Sequence, residues 1–524
     1  MTYPALHTSQ TAQVVQPDGR VELVDRAVIE DSQYSNDDLA PVPVERRTWT
    51  TYNYAALWIG MAHNIPSYLL ASSLIALGMD WLQAFITITL ANLLVLVPML
   101  LNSHAGTKYG IPFPVFARAF YGVRGANVPA LLRAFIACGW FGIQTWIGGS
   151  GIHVIAGKIF GDWWTDAAVV GGRPWTLWAS FALFWVIQMF IIWYGMDMVR
   201  RFENWAAPFV IVVAVALLIW IVTEAGGFGP ILSQPSELGW GAGFWKVFFP
   251  ALMGMIAFWS TLSLNMPDFT RFGAGQRQQV VGQLLGLPTT MSFFAILSII
   301  ITSGTAVVYG APIWDPIALA NRFDNTLVVA IALFTVLVAT VSVNVAANVV
   351  SPSYDFSNAL PKLVSFRTGG LITGVLGVLI QPWRLLENED WYIFVWLQSY
   401  GGLLGAIAGV LVAGYWVSAR TRLALPDLYL RDGRYWFTAG FNWRALVATG
   451  LGMLLAVGGA YSSTNPDGSR TGPFPTDGLI PPLKFLYDYS WAVGLVVGFL
   501  VFVVLSRPAT RREPAGRLAT APTS

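Results

Sequence analysis

Two stretches carry most of the chemistry this chain can offer. "RAFIACGWFGIQTWIGG" sets Trp140 and Gln144 four residues apart, and "ATVSVNVAANVVSP" does the same for Asn344 and Asn348. At helical spacing each pair shares one face. A carboxamide in an apolar helix is costly unless bonded, so a helix that keeps one aims it at a partner or a wet cavity. The alternative is that these amides hold helices together. An amide offers an acceptor and a paired donor, the complement of a cyclic amide or ureide edge, and an indole face stacks a flat ring. Trp140, Trp259, Gln144 and Asn348 together suit a planar heterocycle carrying N–H and C=O groups.

No Asp, Glu, Lys or Arg falls in the middle of an apolar run, so nothing there pairs with a full charge and the solute is expected to be neutral. His63 is the titratable group near the middle of the first apolar run; it is placed either to carry a coupling proton or to bond a neighbouring helix. The sequence holds no GxxxxGK[ST], no HExxH and no Gly-x-Ser-x-Gly. A nucleotide engine is therefore not expected, and an intramembrane hydrolase lacks a nucleophile-base pair. The single cysteine, Cys138, lies in an apolar run, which excludes an intramolecular disulfide and a cysteine metal site.

The elements that must position these residues are membrane helices. Hydrophobic residues make up 55% of the 524 and charged residues 11%, well under the roughly 25% charged of a soluble domain. The net charge of +2 gives no reason to expect a nucleic-acid partner. Apolar runs able to cross the bilayer as helices of roughly 20 residues fall near 54–77, 82–101, 129–157, 175–194, 205–223, 245–266, 284–308, 327–350, 370–383, 391–417, 443–462 and 490–506. The ninth is short and rich in glycine (Gly369, Gly370, Gly374, Gly377), which leaves a re-entrant segment open. With both termini inside, 23 of the 30 Lys and Arg fall on inner segments and 7 on outer ones, as retention of positive charge requires. Residues 1–50 and 507–524 read as cytoplasmic tails, disordered or loosely packed. Trp81, Trp163, Trp164, Trp175 and Trp391 sit at span ends, where an interfacial belt explains them; Trp140 and Trp259 do not.

Solute sites of secondary transporters lie where corresponding helices of two inverted repeats are interrupted. The first span offers "WIGMAHNIPSY", with Gly60, His63, Asn64 and Pro66, and the sixth "LMGMIAFWSTLSLNMPDF", with Gly254, Trp259 and Pro267. Repeats of about 54–223 and 245–417 would form a ten-helix core over 51–420, with two further helices in 421–506. Gly and Pro are also simply frequent in membrane helices.

The stretches "RTWTTYNYAALWIGMA", "HAGTKYGIPFPVFARAFYGVRGANVPALLRA", "GWFGIQTWIGG", "LNMPDFTRF" and "NVAANVVSPSYDFSN" resemble the nucleobase-cation-symport-1 family over about residues 35–505, most closely its allantoin and hydantoin permease branches. The resemblance implies an all-α integral membrane protein of 12 transmembrane helices, with the five-plus-five inverted-repeat core of the leucine transporter and two extra helices. It places the family's stacking tryptophans on Trp140 and Trp259, its ring-edge amides on Gln144 and Asn348, and its helix-1 polar contact on Asn64. Phe258 precedes the second tryptophan, and Asn344 sits one turn from Asn348 as a supporting residue. The family's sodium site falls on Gly60, His63, Ala339, Ser342 and Val343, with Val343 where sodium-coupled members have Thr. A lost hard oxygen ligand weakens such a site, so the coupling ion is expected to be a proton rather than sodium.

The leading expectation is a monomeric, cation-coupled importer of allantoin in a bacterial cytoplasmic membrane. Hydantoin, uracil and cytosine are alternatives on the same pocket. A solute-sensing receptor or channel is the alternative of a different class.

Overall fold

The computed structural model describes residues 12–62, 64–194, 211–387, 391–464 and 470–506. Long apolar runs with no acidic or basic residue in their middle leave the backbone no partner but itself, so they close into helices. Among the described residues the order is α1 (Thr51–Ala62 and Ile65–Ala76), α2 (Trp81–Tyr109), α3 (Asn127–Phe160), α4 (Trp175–Tyr194), α5 (Ile211–Glu224) and α6 (Ala242–Phe258 and Ser260–Asn265). Then come α7 (Gln276–Tyr309), α8 (Thr326–Asn348, continued by Val350–Ala359), α9 (Phe366–Leu379), α10 (Trp391–Ser418), α11 (Trp443–Val457) and α12 (Ser490–Ser506). Six of these are long and apolar enough by themselves to cross a bilayer, and α12 joins them when taken with the short segment Pro481–Tyr487, against which it bends by 101°. The other five are shorter apolar helices, giving the twelve expected spans. The fifth expected span began at 205; residues 195–210 lie outside the described set.

Both expected breaks are present, five helices apart. In α1 the helix stops at Ala62 and restarts at Ile65, with Asn64 extended (φ −134°, ψ 165°) and capping the second half through Ser67 N at 2.8 Å. In α6 it stops at Phe258, turns at Trp259 (φ −99°, ψ 2°) and restarts at Ser260. Gly254, read as part of that break, instead lies inside the helix against Ile393.

The ninth span, expected over 370–383, is an unbroken helix over Phe366–Leu379, after which the chain turns at Gln381 (φ 58°). Its glycines are a packing face: a Cβ on Gly377 would sit 2.8 Å from Phe141 and 3.0 Å from the Cys138 carbonyl. A Cβ on the facing Gly142 would sit 2.2 Å from the Gly377 carbonyl. Small residues let α3 and α9 approach to backbone contact, as membrane helices do when no hydrophobic force drives them together. Cys138 is wholly buried beside that contact.

Two readings of charge need correction. Residues 12–50, expected to form a loose tail, are packed against the end of the bundle where α2 finishes. A hairpin of β1 (Gln13–Val15) and β2 (Val21–Leu23) leads into a strap whose main chain is held by buried guanidinium groups. Arg47 donates to the carbonyls of Val42 (2.8 Å), Val21 (2.9 Å) and Tyr109 (3.3 Å), and Arg271 to those of Asp38 (2.9 Å) and Ala40 (2.6 Å). Burial, then the neighbouring Arg20, push the Arg47 guanidinium down to about 10, which still leaves it charged at neutral pH. Composition misses this because the acceptors are backbone oxygens.

Arg133, counted with the loop charges, is buried in the second turn of α3 and forms an ion pair with Asp355 of α8 at 3.2 Å. Removing one partner of such a pair strands the other, at a cost of roughly 3–5 kcal/mol. Arg133→Met is therefore expected to lower the thermal midpoint of the purified protein markedly, and Arg133→Met/Asp355→Leu to recover most of that loss. Equal melting of Arg133→Met and the unaltered protein would show that the pair does not hold α3 to α8.

Candidate solute site

The break at Trp259 brings the end of the first half of α6 against the middle of α3. Trp140 meets Phe258 edge-to-face with centroids 5.2 Å apart, and Phe258 meets Trp259 in the same way at 4.9 Å. The phenyl ring thus touches both of the indoles expected to stack the solute. α10 closes the other side of Trp140: Tyr392, Trp396 and Tyr400 pack around it, and the Trp140 Nε1–H donates to the Tyr400 hydroxyl at 3.2 Å. Trp58 of α1 completes the aromatic layer, edge-on to Trp259 at 5.2 Å. Tyr392 donates to the Pro66 carbonyl at 3.2 Å, which binds α10 to the broken helix.

The expected residues divide by what their polar atoms do. Gln144 is buried with Oε1 unpartnered, as is the Trp259 indole Nε1–H. A buried polar atom without a partner costs about 1–3 kcal/mol, and the indole nitrogens of Trp58 and Trp396 in the same layer are in the same state. Asn348, at the end of the first part of α8, gives Nδ2 to Asn344 Oδ1 at 2.9 Å. Asn344 is wholly buried and gives Nδ2 to Gln188 Oε1 (2.6 Å) and to the Phe141 carbonyl (3.1 Å). Its amide is engaged on both sides, by Gln188 and by Asn348. Asn64 bonds within its own helix. Its Oδ1 caps α1 and its Nδ2 reaches the Met61 carbonyl at 2.5 Å, so its amide closes the helix break.

Of the cation candidates, His63 and the Ser342 side chain lie outside the described residues. Ala339 and Val343 are buried at 2% exposure and bring only methyl groups and helical carbonyls. Gly60 is in the last turn before the break, with open space beside it. Ala339 also borders a cavity of about 480 Å³ between α1, α5, α7 and α8, walled by Ile65, Tyr68, Leu217, Trp220 and Leu297. None of Trp140, Gln144, Trp259 or Asn348 lines that cavity, whose walls are almost wholly hydrocarbon.

Sequence reasoning missed Trp58, Tyr400 and Gln188. Gln188 was findable: "WVIQMFI" is one more apolar helix that keeps a carboxamide. Tyr400 had no such signal, because its role depends on how α10 crosses α3.

Residues 41–494 match the family model described as permeases for cytosine/purines, uracil, thiamine and allantoin. The chain is 42% identical over 484 residues to the allantoin permease of Bacillus subtilis, covering 91% of this chain and 94% of that one. It is 38% identical over 486 residues to a purine-uracil permease of Arabidopsis thaliana, covering 91% and 78%. Among solved structures it resembles the inward-facing conformation of Mhp1 with a TM-score of 0.73 at 21% identity, covering 91% and 94%. The closed conformation of that nucleobase-cation-symport-1 transporter with bromovinylhydantoin bound gives 0.72 at 21% identity, covering 90% and 95%. At that identity the likeness concerns the fold, that of a leucine-transporter-like membrane protein; the family follows from the sequence matches. Broken helices five apart, an aromatic layer at the break and a near-full-length match agree: the chain belongs to the nucleobase-cation-symport-1 family of permeases.

Proposed function

We propose that the chain imports allantoin, or a closely related neutral cyclic amide, by alternating access coupled to a cation. The observation that carries this is the pairing of unsatisfied amide and indole atoms, Gln144 Oε1 and Trp259 Nε1–H, with an aromatic layer built from Trp140, Phe258 and Trp259. The donors and acceptors are those of a ureide edge, and no carboxylate or ammonium stands among them to require a charged solute. The 42% identity to an allantoin permease over nearly the whole chain supports allantoin ahead of hydantoin, uracil or cytosine.

α10 reaches both the aromatic layer and α1 through Tyr400 and Tyr392. Solute satisfying Gln144 and Trp259 would stabilise the closed arrangement of α1, α6 and α10, and the coupling ion would bias the same equilibrium. A proton is favoured over sodium because Val343 supplies methyl groups where a hydroxyl ligand is needed. The surplus of Lys and Arg on one set of loops supports a cytoplasmic-membrane orientation with both ends inside, and the chain is taken to work as a monomer.

In cells that otherwise lack allantoin uptake, Gln144→Ala and Asn348→Ala are expected to abolish saturable uptake while leaving expression intact; normal uptake in both would sink this cleft. Energised vesicles carrying the unaltered protein are expected to concentrate radiolabelled allantoin above its external level, whereas a channel or receptor would at most equilibrate it. Replacing sodium by choline is expected to change the initial rate by less than about twofold, and a protonophore to collapse accumulation; the reverse pattern would restore the sodium reading.

A further inference from the structure

The amides behind Asn348 form a chain whose direction is set by a group that cannot donate. The Phe141 carbonyl accepts the Thr145 hydroxyl at 2.7 Å, so Thr145 Oγ1 has no proton left for Gln188 and can only accept from it. Gln188 of α4 accordingly presents Nε2 to Thr145 at 2.9 Å and turns Oε1 towards Asn344. Asn344 must answer with Nδ2, which it does at 2.6 Å, and the same nitrogen lies 3.1 Å from the Phe141 carbonyl, again a pure acceptor. That leaves Asn344 Oδ1 facing Asn348, whose Nδ2 meets it at 2.9 Å. The last acceptor of the chain is Asn348 Oδ1, beside the second hydrogen of its own Nδ2.

Thr145, Gln188 and Asn344 are each 0% exposed and Asn348 is 7% exposed, so the chain is dry except at its last member. Turning any one amide over would set oxygen against oxygen or N–H against N–H with no water to intervene, which a low-dielectric interior penalises heavily. Helices α3, α4 and α8 thus cooperate on one outcome, the orientation of a single side chain.

The geometry points to Gln188 and Thr145 as positioning residues that lock the Asn348 amide with its carbonyl oxygen towards the solute, so that the permease selects rings presenting an N–H there. Lactams and ureides are accepted, and rings with an N-methyl group or a bare lone pair at that position are rejected. This rests on the cleft proposed above being the solute site. Neither residue is a ligand in this scheme; both act through Asn344 and Asn348.

The test is uptake of radiolabelled allantoin with competition by hydantoin, N1-methylhydantoin and N3-methylhydantoin. The unaltered protein is expected to prefer hydantoin over at least one of the methylated compounds by about tenfold, the discrimination a site built around one hydrogen bond gives when that bond is lost. Gln188→Met, similar in size but without an acceptor amide, is expected to raise the allantoin KM about tenfold and reduce that preference to about threefold or less at unchanged maximal rate. Gln188→Glu is expected to recover most of both, because a carboxyl kept protonated by burial accepts from Asn344 with one oxygen and donates its O–H to Thr145 with the other. Three results would overturn the assignment: no preference in the unaltered protein, an unchanged preference in Gln188→Met, or equal loss of maximal rate in both variants without a change in KM. Trp140→Ala and Gln144→Ala are measured alongside; if both transport normally, the cleft itself is wrong, which is a different failure from a misassigned Gln188.

Discussion

A peptide group inside hydrocarbon has nowhere to turn for a hydrogen bond except to its own chain, and each one left open costs several kcal/mol. Everything specific about this protein happens where that rule is relaxed. α1 stops at Ala62 and α6 stops at Phe258, and at the first of these neighbouring groups take up what the helix releases. Asn64 caps one new terminus, and Tyr392 reaches over from α10 to the Pro66 carbonyl. The aromatic layer of Trp58, Trp140, Phe258 and Trp259 gathers at the same level, so the interruption and the stacking surface are one construction.

Around that level the helices are kept close by absence of bulk rather than by attraction. Gly142 of α3 and Gly377 of α9 meet at backbone distance, and Gly494 and Gly498 of α12 meet the Gly402 and Ala406 carbonyls of α10 in the same manner. These contacts make panels of helices held at backbone distance. The ion pair between Arg133 and Asp355 belongs to such a panel, joining α3 to α8 near the end where the N-terminal strap lies.

Much of this was legible in the residues alone. Asn64 and Pro66 mark the first break, Trp259 the second, and the four-residue spacings of Trp140 with Gln144 and Asn344 with Asn348 pick out the faces that meet. What was not legible depended on the acceptor rather than the donor. Arg47 and Arg271 bond to main-chain oxygens of a segment whose composition resembles a loose tail. Asn64 looks identical on paper whether it greets a solute or caps a helix. Phe258, named only for its place in the chain, proves to be the ring that both indoles touch, because a turn of backbone at Trp259 swings the two side chains to different sides.

The solitary thiol adds a practical dividend. Cys138 is sealed at the α3–α9 contact, at 0% exposure, and no second sulfhydryl exists anywhere in the chain. Maleimide or methanethiosulfonate labels should therefore find the native surface silent, and a cysteine introduced at either mouth would report opening and closing against an empty background. The molecule comes ready for spectroscopic distance measurement without first having its own cysteines removed.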